Sequence, residues 1–377
     1  MFTPICDRLG IDVPIFAFSH CRDVVAAVTN AGGMGVLGAT TFSPEALEVE
    51  LTRIDQQTNR KPYGVDLLLP TNYADIARTQ GRQPFPPEHE SFVQDLLARY
   101  HVPELPEHVP DHDGTIQVSA QSASTLLDVA FQHPIQLVAS ALGPPTAELI
   151  ERAHRRNVTV AALVGTPEHA RRQQAAGVDL IVAQGTEAGG HTGAIATMVL
   201  VPEVVRTVDP IPVLAAGGIV TGAQMAAAIA LGAQGVWCGS VWLTTREAEI
   251  EPAVQKKMLA ASSSDTVRSR SLTGKPARML RSAWTDEWDS SKAPQPLTMP
   301  LQTMLTASAM QQINRAASQE RSGANQLATY FVGQGVGLMD RVRPARQVIA
   351  DMVEEYLAVA GRFATQIAAH VSDRPQR

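Results

Sequence analysis

Aromatic residues are scarce in this chain, 5% of 377 residues, whereas 45% are hydrophobic. The core must therefore be assembled from Ala, Val, Leu and Ile, as tightly packed α/β folds are, and a mainly disordered chain is excluded. Cysteine is scarce as well. Cys6, Cys21 and Cys238 are too few and too scattered for a disulfide framework, which predicts a reduced, cytoplasmic chain. Excess positive charge is absent: 31 Lys and Arg against 37 Asp and Glu leave a net charge of −6. Nothing in that balance attracts nucleic acid or an anionic membrane. No apolar run approaches the ~20 residues that span a bilayer. The opening MFTPICDRLGIDVPIF also lacks the cationic-then-apolar order of a signal peptide. The expected ligand is a small molecule or another protein.

At about 150 residues per domain the length suggests two or three domains, unless one α/β barrel accounts for the span. The organising pattern is a recurrence of short β-branched apolar runs separated by Ala-rich stretches of helical spacing. Buried parallel strands read as continuous apolar runs and require such crossovers. Eight runs qualify: VPIFAF from Val13, MGVLGA from Met34, YGVDLLL from Tyr63, PIQLVAS from Pro134, VTVAALV from Val158, VDLIVAQ from Val178, IPVLAAG from Ile211 and GVWCGS from Gly235. Ser43 and Thr221 stand where N-caps of the intervening helices belong, and Pro44 where a first helical turn accepts proline. Eight βα units predict a TIM (β/α)8 barrel with its active site at the C-terminal ends of the strands. An open doubly wound sheet would carry a glycine fingerprint after its first strand, but Phe18 is followed by SHCRD. The expected organisation is a barrel over 1–245 with a Pro- and His-rich loop excursion at 71–114, a mostly helical cap over 246–328, and a closing loop with a C-terminal helix over 329–377.

Two constellations carry chemistry. In VLAAGGIVTGAQMAAAIALGAQGVWCGS, Gly217 and Gly218 end the seventh run, and Gly239 and Ser240 end the eighth. Backbone N–H groups exposed there, beside a helix start, form an anion cradle, and barrels hold phosphates after these two strands. Glycine pairs also simply permit tight turns. The second constellation, AQGTEAGGHTG, follows the sixth run with four glycines around one histidine. Such a loop keeps its backbone close to a ligand, and an imidazole near neutrality takes a proton or donates a hydrogen bond. His191 is thus the candidate catalytic residue. Glu187 is the alternative base, but its setting better suits a carboxylate that organises the loop by accepting backbone N–H groups.

The strings LGIDVPIF, AAVTNAGGMGVLGA, AQGTEAGGHTG, PVLAAGGI, ALGAQGVWCGS and GQGVG together resemble the nitronate monooxygenase family, formerly called 2-nitropropane dioxygenases. The resemblance runs from about Pro4 to Met339. It implies a TIM barrel holding non-covalent FMN, with the phosphate on the Gly217–Gly218 and Gly239–Ser240 turns and a catalytic histidine at His191. It further implies cofactor contacts from Ala17, Phe18, Asp66, Gln184, Gly189, Gly190, Ala216 and Gln334. Asp66 stands where the family usually has Asn, and Phe18, Ser19 and His20 replace a Gly- or Met-containing turn. Leu163, Val164 and Gly165 stand where some relatives have Lys. The implied reaction oxidises an alkyl nitronate with O2 to a carbonyl compound and nitrite.

A second reading is an FMN reductase that uses NAD(P)H on an enoyl thioester or a quinone, with Lys275, Arg278 and Arg281 meeting thioester phosphates. A third, an IMP-dehydrogenase-like barrel, needs a cysteine nucleophile, for which Cys238 is the nearby residue. A flavin or thioester binder without catalysis is the fourth. No metal is expected: His101, His108 and His112, with Asp111 and Asp113, match no zinc spacing. Nucleic-acid and membrane partners are not expected, and a homodimer is left open.

Overall fold

A computed structural model describes residues 3–68, 85–104, 120–141, 143–319 and 322–372. Its strands are β1 (Ile15–Ser19), β2 (Met34–Gly38), β3 (Tyr63–Leu68), β4 (Ile135–Ala141), β5 (Thr159–Val164), β6 (Leu180–Gln184), β7 (Gly190–His191), β8 (Val213–Ala216), β9 (Gly235–Cys238), β10 (Thr266–Ser269) and β11 (Ala277–Leu280). β1 to β6, β8 and β9 pair in parallel in that order and close into a barrel, with Ala17 of β1 opposite Cys238 of β9. All eight apolar runs are barrel strands. They read as unbroken runs because alternate residues meet the lumen and the helical jacket, and both are dry.

The lumen is filled from below. Ile5, Cys6 and Leu9 of the helix Pro4–Leu9 plug its N-terminal end against Phe16, Met34, Leu137, Leu180 and Leu214. Above them come Val36, Ala139, Ala161, Val182, Ala216 and Trp237, with Phe18 and Leu163 half-covered at the top. Ala139, Ala161 and Ala216 keep the wall of the upper lumen small beside Trp237.

Helix boundaries follow local chemistry. Ser43 and Thr146 accept the N–H of Ala46 and Leu149 at 3.1 and 3.3 Å, and Thr221 forms a capping box with Gln224. Such caps are worth about 1 kcal/mol each. The C-terminal helix Ala345–Ser372 buries Val348, Ile349 and Met352 and crosses the helix Gly222–Ala230. Gly222 allows this crossing, because a Cβ there would stand 1.9 Å from the Met352 carbonyl. Beyond Glu355 the helix leaves the body, and Leu357, Phe363 and Ile367 are exposed.

Two segments differ from expectation. Within the 71–114 excursion, the described residues include the helix Pro87–Arg99, which buries Val93, Leu96 and Leu97 and rests Phe92 on Trp288 at 4.8 Å. The surrounding prolines read as loop, yet Pro87 only starts the helix and the i, i+3, i+4 apolar spacing sustains it. The described residues of 246–328 hold four α-helices, Pro252–Ala260, Ala283–Trp288, Leu301–Ala316 and Ala324–Leu327, and also the antiparallel pair β10–β11. His108, Asp111, His112 and Asp113 lie outside the described residues. No helix among the described residues is long and apolar enough to cross a membrane.

Candidate active site

The mouth is assembled by the loops that follow β6, β8 and β9 and by the loop containing Gln334, together with one strand pair from the 246–328 segment. The Gly-rich loop after β6 carries β7, and β7 pairs with β11, so that His191 stands opposite Ala277. The β10–β11 hairpin is therefore hydrogen-bonded to the histidine loop. Arg278 reinforces the join: its Nε donates to the Thr186 carbonyl at 2.9 Å and its Nη1 to Thr266 Oγ1 at 3.0 Å.

His191 lies 2.9 Å, through Nε2, from Thr273 Oγ1. The Thr273 hydroxyl is also 3.1 Å from the Lys275 carbonyl and accepts the Lys275 N–H at 3.3 Å. With its single proton on that carbonyl, Thr273 accepts from Nε2–H, which leaves the lone pair on Nδ1. That tautomer is assigned from the hydrogen-bond pattern. Phe331 stands 6.4 Å from the imidazole, centre to centre. Burial holds the His191 pKa below its ordinary value, so the ring is neutral at pH 7.

Glu187 does not point a free carboxylate at the mouth. Its Oε2 accepts both the N–H and the hydroxyl of Thr197, at 2.9 and 2.8 Å, at the start of the helix Thr197–Val208. Thr197 Oγ1 is also 3.1 Å from the Gly217 carbonyl. One carboxylate thus ties the histidine loop, a helix N-terminus and the turn after β8 together, the organising role its position suggested.

Gly217 and Gly218 take φ of +119° and +70°, a region open to glycine alone at little cost. The Gln224 side chain clamps the turn, accepting from the N–H of Val220 at 2.8 Å and Thr221 at 3.1 Å and donating to the Gly218 carbonyl at 2.8 Å. The N–H groups of Gly217, Gly218 and Ile219 have no acceptor among the described residues. Sequence reasoning placed the anion cradle beside a helix start. The structure gives Gly222 N–H, the first of that helix, to Glu355 Oε2 at 2.8 Å. The free donors therefore belong to the turn itself. Gly239 is the second element: its N–H has no acceptor among the described residues, and a Cβ added there would meet nothing within 4 Å.

The loop containing Gln334 closes one side. Gln334 N–H donates to the Glu187 carbonyl and Gly333 N–H to Ser240 Oγ, both at 2.8 Å. Ser240 is thus engaged through its side chain. Gly189 serves this contact too, because a Cβ there would lie 2.9 Å from Gly333 N, whereas Gly190, at φ +76°, faces open space. By strand alternation Phe18, Asp66, Gln184 and Ala216 face the lumen. Ala17 does not: its side chain lies in the outer core against the helices, and only its main chain is available to a ligand.

Three of the residues that shape the mouth carried no role in the sequence reading: Thr273, Gln224 and Gly38. The first two act across the chain or by amide geometry that no local pattern announces. Gly38 had a signal, a glycine inside a strand. A Cβ there would stand 2.6 Å from His20 Nδ1 and 2.9 Å from Phe18, so glycine makes room for the His20 ring. His20 Nδ1 lies 3.0 Å from the Gly38 carbonyl, and its ring meets Phe18 edge-on at 5.1 Å.

The family model described as nitronate monooxygenase matches residues 14–355. The chain belongs to the nitronate monooxygenase family. A protein of Mycobacterium tuberculosis named as a monooxygenase, Rv1533, is 61% identical over 96% of this chain and 98% of its own length. One of Staphylococcus saprophyticus named as a nitronate monooxygenase is 30% identical over 81% of this chain and 85% of its own. Among solved structures, nitroalkane oxidase from Streptomyces ansochromogenes superposes with a TM-score of 0.77 at 28% identity, covering 96% of this chain and all of that one. FabK from Thermotoga maritima gives 0.70 at 27%, covering 97% and 99%. As a member of the nitronate monooxygenase family the protein is a flavin-dependent oxidoreductase.

Within this family member the rival roles lose ground. Arg278 is buried in bonds to Thr186 and Thr266, and Arg281 pairs with Asp286 at 2.8 Å, so two of the three cations considered for thioester phosphates are engaged. Cys238 is buried on the outer side of β9, and burial pushes its thiol up to about 12, which leaves no thiolate for nucleophilic attack.

Proposed function

We propose that the protein binds FMN non-covalently in the barrel mouth and oxidises alkyl nitronates with O2, releasing a carbonyl compound and nitrite. The observation that carries this reading is the placement of one neutral, oriented histidine over a mouth whose backbone donors and open space fit a flavin mononucleotide. The free N–H groups of Gly217, Gly218, Ile219 and Gly239 would hold the phosphate. The small residues Ala139, Ala216 and Gly239, with Leu163 and Phe18, would accommodate a flat ring, and Asp66 and Gln184 offer polar atoms to its edge. When bound, the flavin supplies electron transfer between substrate and O2.

The chain's own residues do the rest. Thr273 holds Nε2–H of His191, so that Nδ1 faces substrate as an acceptor. It takes the acidic C–H proton of a neutral nitroalkane. A nitronate, already deprotonated, needs only positioning. Glu187 and Thr197 keep the loop and the Gly217 turn in register. The β10–β11 hairpin and the Gln334 loop exclude water from two sides.

The test is simultaneous measurement of O2 uptake and nitrite release by FMN-loaded protein given propyl-2-nitronate. Coupled consumption and release is expected. Absence of both, with NAD(P)H-dependent reduction of a quinone or an enoyl thioester in their place, would favour the reductase alternative.

A further inference from the structure

Asp66 is a buried acid with no partner among the described residues. β3 directs it into the upper lumen, in register between Gly38 of β2 and Ala139 of β4, and it is 4% exposed. It makes no side-chain hydrogen bond or ion pair among the described residues. Among the described residues the groups set beside it carry no charge: Gly38 of β2, with the His20 ring and Phe18 packed on it, and Ala139 of β4. His20 is the titratable neighbour, and burial holds its pKa below the ordinary value, so it is neutral at pH 7. Burial alone pushes the Asp66 carboxyl up to about 7. An ionised carboxylate with no partner is costly there, and a flat ring laid over the mouth removes the remaining water.

The edge of an isoalloxazine ring that is an imide presents one N–H flanked by two carbonyls. A carboxylate offers only acceptors to it. A neutral carboxyl offers one donor and one acceptor, as an amide does. We propose that Asp66 holds the flavin ring as a neutral carboxyl, so that above neutral pH cofactor binding takes up one proton from solvent. This rests on the flavin reading of the mouth. Asp66 becomes a positioning residue that makes cofactor retention sensitive to pH, and no redox step is assigned to it.

Linkage sets the sign. The bound state holds the proton more tightly than the free state, so affinity is full below about 7 and falls above it, by up to roughly tenfold per pH unit. Apoprotein is titrated with FMN from pH 6 to pH 9, following flavin fluorescence, for the wild type and Asp66→Asn. The wild-type Kd is expected to rise at least tenfold relative to that of Asp66→Asn between pH 7 and pH 9, since the amide keeps donor and acceptor at every pH. Parallel profiles overturn the proposal. Calorimetry of the wild type alone, at pH 8 in two buffers of different ionisation enthalpy, gives an independent readout: uptake near one proton supports it, and zero uptake overturns it. Failure of both proteins to bind FMN at any pH overturns the flavin reading, and the role of Asp66 with it.

Discussion

The Glu187 carboxylate receives the Thr197 backbone N–H at 2.9 Å and the Thr197 hydroxyl at 2.8 Å. A carboxylate so engaged caps a helix and is not poised to take a substrate proton. Glu187→Ala should therefore cost about 1–2 kcal/mol of stability, as the loss of a cap does. The measurement is thermal unfolding followed by circular dichroism. Glu187→Gln, which keeps an acceptor, should recover most of the loss and leave the pH–rate profile unmoved. A vanished acid limb in that variant would make Glu187 the base.

His191 should govern the response to pH. Burial lowers its pKa, so kcat/KM is expected to hold from neutral pH downward and to fall only below the ordinary value of about 6.5. Folding stability follows the same sign: the folded state binds this proton less readily than the unfolded state, so stability declines as pH drops through about 6.5 toward the folded value. His191→Asn should abolish the acid limb and slow turnover of neutral nitroalkanes by roughly 10²–10⁴, the usual worth of a general base. Nitronate turnover should suffer far less. Thr273→Val should reduce kcat more than it raises KM, because Nε2 loses its acceptor, and Thr273→Ser should restore it. Steady-state kinetics across pH 5 to 9 checks all three.

Gly239 and Gly217 offer a contrast between ligand space and backbone strain. An alanine Cβ at Gly239 meets nothing within 4 Å, so Gly239→Ala should leave apoprotein melting unchanged while weakening FMN binding tenfold or more, about 1.4 kcal/mol. Gly217→Ala should lower both, since φ is +119° and the Cβ would stand 2.4 Å from Thr197 Oγ1. Melting curves with and without FMN separate the two.

Cys238 should be inert. With its thiol buried and its pKa pushed to about 12, iodoacetamide at pH 8 is expected to leave it unmodified in the native protein, and Cys238→Ala should keep normal turnover. Peptide mass spectrometry after labelling is the check. Rapid labelling that tracks loss of activity would revive a nucleophilic role.

What could be read from the residues, and what could not, divides along physical lines. The eight barrel strands were legible because each is buried on two faces, which leaves an apolar signature within one short window. The loop AQGTEAGGHTG announced itself by composition, and His191 stands in it opposite Ala277, 2.9 Å from Thr273. The β10–β11 pair did not: TVRS and ARML are four residues each, carry Arg268 and Arg278, and β11 takes its second partner, β7, from far back along the chain. Thr273 was invisible for the same reason, 82 residues from the histidine it orients. Ala17 is a cofactor contact implied by the family resemblance, although alternation turns its side chain outward. The helix Pro87–Arg99 was hidden by the prolines around it, which outweighed a short apolar stripe.

The central claim is that electrons reach this site from the nitronate itself. Anaerobic stopped-flow mixing tests it most directly, with FMN-loaded protein meeting propyl-2-nitronate in one experiment and NADPH in another, while flavin absorbance is followed. Loss of the oxidised flavin spectrum with nitronate and its persistence with NADPH is the predicted result. Rapid bleaching by NADPH with no response to nitronate would contradict it.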